Sequence, residues 1–191
     1  MIGTFTDFAD QSILLPIEIV VFLSLSLSGR KRDAAAWGLA MLSGCVAIVC
    51  LKLWFERCGI PHHHRFLYSP SGHSMGGTMV YGGLLALFCR RTALFLAGTV
   101  ALAVAFSASR VLLGAHTMPE VITGATVGFC VACALRFALG PRQTIGLRTH
   151  TTLITLALVC AIGFGLHGYR LGCEVWIQEA ARRMLGSVLC H

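Results

Sequence analysis

Two short stretches hold the residues able to do chemistry on an anion. In the first, Pro70-Ser71-Gly72-His73 stands immediately before an apolar run. Pro resists helix continuation, Gly lets the backbone approach closely, and a helix starting there presents the amides of Ser71, Gly72 and His73. Unpaired amides and the positive end of the helix dipole together attract an anion. In the second stretch, Ser109 to Glu120, Arg110 offers a planar fork suited to bidentate contact with phosphate. His116 and Glu120 have the i, i+4 spacing that brings side chains together on a helical turn. A carboxylate accepting from one imidazole nitrogen fixes the tautomer and leaves the other nitrogen free to attack. Pro119 interrupts strict helical geometry, so the contact can also be made across a turn.

The elements that must position these residues are apolar. Of the 191 residues 56% are hydrophobic and only 12% charged, where a soluble domain carries about 25% charged. A mean hydropathy of +0.77 agrees, and a water-soluble globule is excluded. The apolar residues form stretches of roughly 16 to 20, near the length a helix needs to cross hydrocarbon. Six spans are expected, at about 12–28, 34–53, 74–89, 92–108, 120–139 and 151–167. The fold class is therefore all-α: a polytopic membrane protein, residues 1–191 forming one domain with six transmembrane helices in a single bundle. The first span has basic residues after it and none before, the reverse of a secretory signal, and is expected to be retained.

The formal net charge of +7 does not mark a nucleic-acid partner, because the basic residues lie between spans and not along one soluble face. They cluster as Arg30, Lys31 and Arg32; Arg90 and Arg91; and Arg136, Arg142 and Arg148. Counting crossings puts all three clusters on one side, which the positive-inside rule makes the cytoplasm. Both termini and segments 54–73, 109–119 and 168–191 then face outward, so both chemistry-bearing stretches lie at the outer helix ends.

Other features have plainer readings. Residues 174–189 place Glu174, Gln178, Glu179, Arg182 and Arg183 on one helical face and Trp176, Ile177, Met184 and Val188 on the other. That suits either an interfacial helix or one packed on the outer ends of the bundle. Gly76, Gly77, Gly82 and Gly83 let neighbouring helices come close. Glu18, costly in lipid, should face the bundle or the outer interface. Cys45, Cys50, Cys89, Cys130, Cys133 and Cys160 sit in or beside spans as small packing residues. Cys58, Cys173 and Cys190 are outward and can form one disulfide in an oxidising compartment. His62, His63 and His64 are read as a solvated or headgroup-facing loop, since adjacent histidines rarely converge on one metal.

Pro70, Ser71, Gly72, His73, Ser109, Arg110 and His116 occur in order at two outward helix ends. At average usage such a set arises by chance with odds of roughly one in 10⁴ or less. The pattern resembles the type 2 phosphatidic acid phosphatase superfamily. Its last two motifs read Pro-Ser-Gly-His and Ser-Arg, five residues, His, three residues, Asp. The match covers roughly Lys52 to Glu120.

The resemblance implies that His116 attacks phosphorus to give a phosphohistidine while His73 protonates the leaving group, and that water then releases phosphate. Arg110, the amides near Ser71 and Gly72, and the Ser71 hydroxyl would stabilise charge on the equatorial oxygens. It implies no metal and no cofactor. The implied substrate is a membrane lipid phosphate, such as undecaprenyl pyrophosphate or another anionic phospholipid, met in the bilayer. The implied location is a bacterial cytoplasmic membrane, with the site facing the periplasm or outside.

Two departures from the family pattern stand out. Glu120 replaces the usual Asp and is one methylene longer. The first motif is normally Lys, six residues, then Arg-Pro, but seven residues after Lys52 this chain has Gly59, followed by Ile60 and Pro61. Lys52 is either a phosphate ligand or a snorkelling anchor. Arg57 and Arg65 compete for the missing Arg, with Arg65 preferred because it lies closer to Pro70. A lipid phosphotransferase and a catalytically impaired lipid-binding or transport protein are the competing functions.

Overall fold

Turn-forming residues cut the chain into helices. The computed structural model describes residues 2–56, 69–140 and 149–169, with Gly172, Glu179 and Arg183. Seven helices and no strand occur among the described residues: α1 (Ile2–Asp7), α2 (Gln11–Leu27), α3 (Lys31–Glu56), α4 (Gly72–Phe88), α5 (Thr92–Leu112), α6 (Met118–Leu139) and α7 (Thr149–Gly165). Asp10 caps α2 by accepting the Ser12 N–H at 2.9 Å. Ser71 caps α4, so that helix starts where the Pro-Ser-Gly-His stretch predicts.

Helix α4 lies at the centre, with every residue from Ser74 to Val80 buried. Small residues make this possible. Gly77 receives the Phe106 ring of α5, and Gly83 receives Trp37 of α3 with Leu135 of α6. Along α6, Gly124 lies on the carbonyl of Ser71 and Gly128 on that of Met75, so α4 and α6 run parallel in backbone contact. Trp37 also donates to the Glu18 carbonyl at 3.1 Å, joining α3 to α2. One carboxyl oxygen of Glu18 is buried among the packed helices, which agrees with an inward orientation.

The far end of α4 is closed by Arg136. Its guanidinium donates to the carbonyls of Ala86 at 3.0 Å, Cys89 at 2.8 Å and Arg90 at 3.0 Å. The first two would otherwise be orphaned by the helix terminus. Arg136 is thus a cap as well as a basic marker of that end. Trp37, near the start of α3, lies against Gly83 near the end of α4. The Arg30 cluster, the Arg90 cluster and Arg136 therefore gather at one end of the molecule, opposite the Pro-Ser-Gly-His stretch.

The exterior is apolar. Leu39, Leu42 and Val46 of α3, Val100 and Val104 of α5, and Leu153 and Ile154 of α7 are exposed, a surface suited to hydrocarbon. Lys31–Phe55, Thr92–Leu112 and Met118–Leu139 are long and apolar enough to cross a membrane. This is a membrane protein. Of the six expected spans these are three. Helices α2, α4 and α7 have 17 residues each, about 25 Å at the helical rise.

One boundary differs in a way that matters. The fourth span was expected to end near 108, but α5 runs to Leu112 because no breaker intervenes before Gly114. Ser109 and Arg110 therefore belong to the last helical turn and not to a loop. Cys45, Cys50, Cys89, Cys130, Cys133 and Cys160 are free thiols. Within 174–189 only Glu179 and Arg183 are described, paired i, i+4 at 2.7 Å. Arg57, Cys58, His62, His63, His64, Arg65, Cys173 and Cys190 lie outside the described residues.

Candidate active site

His116 is placed by the way α5 stops. The Gly114 N–H donates to the Val111 carbonyl at 2.9 Å and the Ala115 N–H to the Arg110 carbonyl at 3.0 Å, the paired bonds of a Schellman ending. That ending requires a left-handed residue, and Gly114 has φ +65°. The chain reverses, and His116 follows two residues later.

Helix α6 then begins at its cap, Thr117. Pro119 sits in the first turn, where a missing N–H costs nothing. Glu120, the third helical residue, bends back so that Oε2 accepts the Thr117 N–H at 2.9 Å and meets His116 Nδ1 at 3.2 Å. His116 thus precedes the helix, and the pair meets across its start and not along an i, i+4 face. Both side chains are over nine-tenths buried. With Nδ1 directed at the carboxylate, Nε2 is the nitrogen left to act.

The same carboxylate reaches the second stretch. Glu120 Oε1 accepts the Ser69 N–H at 2.9 Å, and the Glu120 carbonyl accepts the Ser71 N–H at 3.0 Å. Lys52, at the end of α3, is buried, and its Nζ donates to Ser69 Oγ at 3.2 Å. It is turned inward and is not a snorkelling anchor. A continuous chain of contacts runs from Lys52 through Ser69 and Glu120 to His116.

Ser71 is more committed than its sequence context suggests. Its amide belongs to Glu120, and its Oγ accepts from Ser74 N at 3.3 Å and Ser74 Oγ at 3.1 Å. The hydroxyl proton remains to donate. The amides of α4 left without an acceptor within their own helix are therefore those of Gly72 and His73, its first two residues.

His73 stands beside Asp10, a residue the motif reading missed. His73 Nε2 lies 3.6 Å from Asp10 Oδ2, with the imidazole side chain 23% exposed. Nothing local in the sequence links these positions. Arg110, half-buried in the last turn of α5, completes the cationic residues at this end. Lys52, Ser71, Gly72, His73, Arg110, His116 and Glu120 thus occupy one end of the packed helices, and Arg65 lies outside the described residues.

An apolar groove of about 600 Å³ runs between α5 and α6 beside this end, lined by Val100, Val104, Val111, Met118, Ile122 and Phe129 among others. Its lining includes Val111 and Met118, next in sequence to Arg110 and Thr117. A family model described as the PAP2 superfamily matches residues 33–144. No curated protein and no solved structure matched the chain.

Proposed function

The chain belongs to the PAP2 superfamily, and from that membership we propose that it is a lipid phosphatase working through a phosphohistidine on His116. The observation that carries this reading is the His116–Glu120 contact, tied through Ser69 and Ser71 to the start of α4. These contacts support His116 as nucleophile, Glu120 as its orienting carboxylate and the start of α4 as an anion site acting as one unit.

In the first step His116 Nε2 forms a bond to phosphorus as the bond from phosphorus to the leaving oxygen breaks, and His73 gives that oxygen a proton. In the second, water attacks phosphorus, its proton passes to His73, the nitrogen–phosphorus bond breaks, and inorganic phosphate leaves. Lys52, Arg110, the Ser71 hydroxyl and the Gly72 and His73 amides balance the charge on the equatorial oxygens, the main task in phosphoryl transfer. Arg65 fills the role of the displaced first-motif Arg. Glu120 serves in place of Asp because its extra methylene lets one carboxylate span Ser69, Thr117 and His116. Neither a metal nor a cofactor takes part.

The groove between α5 and α6 supports a substrate with a long apolar tail, which can stay in hydrocarbon while its phosphate meets the polar end. Helices α2, α4 and α7 join α3, α5 and α6 as six spans of a bacterial cytoplasmic membrane, with the basic end inside and the site outside. That setting suits a polyprenyl pyrophosphate such as undecaprenyl pyrophosphate, or another anionic phospholipid.

The test is phosphate release from a panel of lipid phosphates by purified protein with chelator present and no acceptor alcohol. Phosphate is expected from the native chain and none above background from His116→Ala. Activity retained by His116→Ala would remove the nucleophile, and strict metal dependence would remove the metal-free mechanism. Phosphate released only when an acceptor is supplied would favour phosphotransfer, and no turnover on any lipid would favour a binding protein.

A further inference from the structure

Among the described residues, two imidazoles at this end of the molecule each face a carboxylate. His116 meets Glu120 through Nδ1 at 3.2 Å, and His73 meets Asp10 through Nε2 at 3.6 Å. Glu120 belongs to the family motif, whereas Asp10 lies well before the matched residues 33–144.

Asp10 is held firmly. Its Oδ1 caps α2 through the Ser12 N–H at 2.9 Å, and Oδ2 lies 3.6 Å from His73 Nε2. Its own N–H donates to the Asp7 carbonyl at 3.0 Å. The segment before it is pinned by the Phe5 ring stacked on Phe106 at 5.0 Å. Tyr81 of α4 adds a hydroxyl bond to the Phe8 carbonyl at 2.8 Å. The Asp10 side chain is only 5% exposed. A buried carboxylate held through one oxygen and through its own backbone can orient a neighbouring ring.

The electrostatic setting gives that carboxylate work to do. His73 is the second residue of α4 and so sits at the positive end of a helix dipole. Among the described residues, the charged and titratable groups at this end include Lys52 and Glu56 from α3, Arg110 from α5, His116 and Glu120 at the start of α6, Asp7 and Asp10 from the N-terminal segment, and His167 and Tyr169 after α7, of which His167 lies 2.9 Å from the Thr4 carbonyl. Glu120 is engaged with His116. Among the described residues, Asp10 is the carboxylate within ion-pair distance of the His73 ring.

The geometry points to Asp10 as a positioning residue for His73, a role that presupposes the phosphatase chemistry proposed above. Asp10 accepts the Nε2 proton and so presents Nδ1 to the leaving oxygen. It also supplies the counter-charge when His73 takes up the proton of the attacking water. The N-terminal segment thereby contributes to leaving-group protonation, and the two histidines act as carboxylate-backed partners with opposite ring nitrogens turned to phosphorus and to the leaving group.

The test compares native protein with Asp10→Asn, Asp10→Glu and Asp10→Ala, all as the full chain in detergent. Asn caps a helix about as well as Asp, so Asp10→Asn removes charge while sparing α2, and Asp10→Ala reports the loss of the cap. Two probes are used: a dialkylglycerol phosphate, whose alkoxide needs a proton to leave, and p-nitrophenyl phosphate, whose phenolate does not. Asp10→Asn is expected to lower kcat on the alkyl phosphate by about 10- to 100-fold, with a loss several times smaller on the aryl phosphate and KM little changed. Asp10→Glu should recover part of the loss. Equal losses on both probes, or none, would overturn the assignment.

A second measurement does not depend on turnover. In protein labelled with ¹⁵N-histidine at alkaline pH, the His73 signal, identified by its absence in His73→Gln, should report the Nε2–H tautomer and lose that preference in Asp10→Asn. An unchanged tautomer overturns the proposal. If the native chain hydrolyses neither probe, the phosphatase reading fails, and the tautomer alone decides whether Asp10 governs the His73 ring.

Discussion

Gly124 of α6 rests on the carbonyl oxygen of Ser71 at the start of α4, so closely that a β-carbon at position 124 would overlap it. One turn earlier on α6, the Glu120 carbonyl accepts the Ser71 N–H at 3.0 Å. The two contacts set the register between the helix that carries Glu120 and the helix start proposed to receive the anion. Packing and site assembly are the same event here.

Replacing Gly124 with Ala should therefore damage both. Overpacking against backbone costs about 1–3 kcal/mol, and because backbone cannot rotate away, α4 and α6 must separate at the site. Gly124→Ala is expected to lower the unfolding temperature in detergent and to reduce phosphate release at least tenfold. Gly128→Ala overlaps the Met75 carbonyl one turn deeper. It should destabilise comparably with a smaller effect on turnover of the folded fraction. Equal turnover in the two variants would show that the register at Ser71 does not matter to the site.

Gly114 isolates the role of backbone conformation. A β-carbon there meets nothing within 4 Å, and φ is +65°, so Ala adds strain without a clash. The left-handed conformation costs a residue with a β-carbon about 1–2 kcal/mol, which the short connection can relieve by moving His116. Gly114→Ala should lower kcat by about tenfold. Gly114→Asn, which tolerates this conformation, should lie near the native value. Paired kcat measurements decide it, and an Asn variant as impaired as Ala would rule out the conformational explanation.

What could be read in the sequence was whatever local rules govern. The apolar runs, the helix start at Ser71 and the proximity of His116 to Glu120 depend on residues a few positions apart. Longer-range relations were hidden. That Lys52 turns inward to Ser69, that Asp10 meets His73, and that Arg136 closes the end of α4 depend on how separate helices dock. The same docking commits the Ser71 amide to Glu120, so the proposed anion contacts fall to the amides of Gly72 and His73. The end of α5 was misplaced for a local reason, since hydropathy falls at Ser109 and Arg110 while the helical hydrogen bonding continues to the Leu113 N–H.

Glu120 tests whether the family's Asp could simply be restored. Its two oxygens accept from Ser69 N, Thr117 N and His116, and a chain one methylene shorter cannot span all three. Glu120→Asp should therefore lower activity, leaving a buried N–H without an acceptor at a cost of about 1–3 kcal/mol. Glu120→Gln keeps the length but turns an NH₂ toward N–H donors, and should lose about 10²-fold or more in kcat. Phosphate release with unfolding measured in parallel checks both. Full activity in Glu120→Asp would mean that the Ser69 contact is dispensable.

Arg136 offers the opposite separation, stability without chemistry. It lies at the end of the molecule away from His116 and satisfies three carbonyls with one planar fork, a geometry that a Lys ammonium cannot reproduce. Hydrogen bonds from a charged donor contribute about 1.5–3 kcal/mol each where they replace an unsatisfied group. Arg136→Lys should lower the unfolding temperature clearly and Arg136→Ala further, while kcat and KM of the folded fraction stay near native. Because both variants also remove or alter a basic residue at the end assigned to the cytoplasm, membrane orientation can be followed by cysteine labelling of the intact cell. Native orientation with reduced stability is the expected result for Arg136→Lys, which keeps its charge. A change in KM would instead mean that strain at this end reaches the phosphate site through α4.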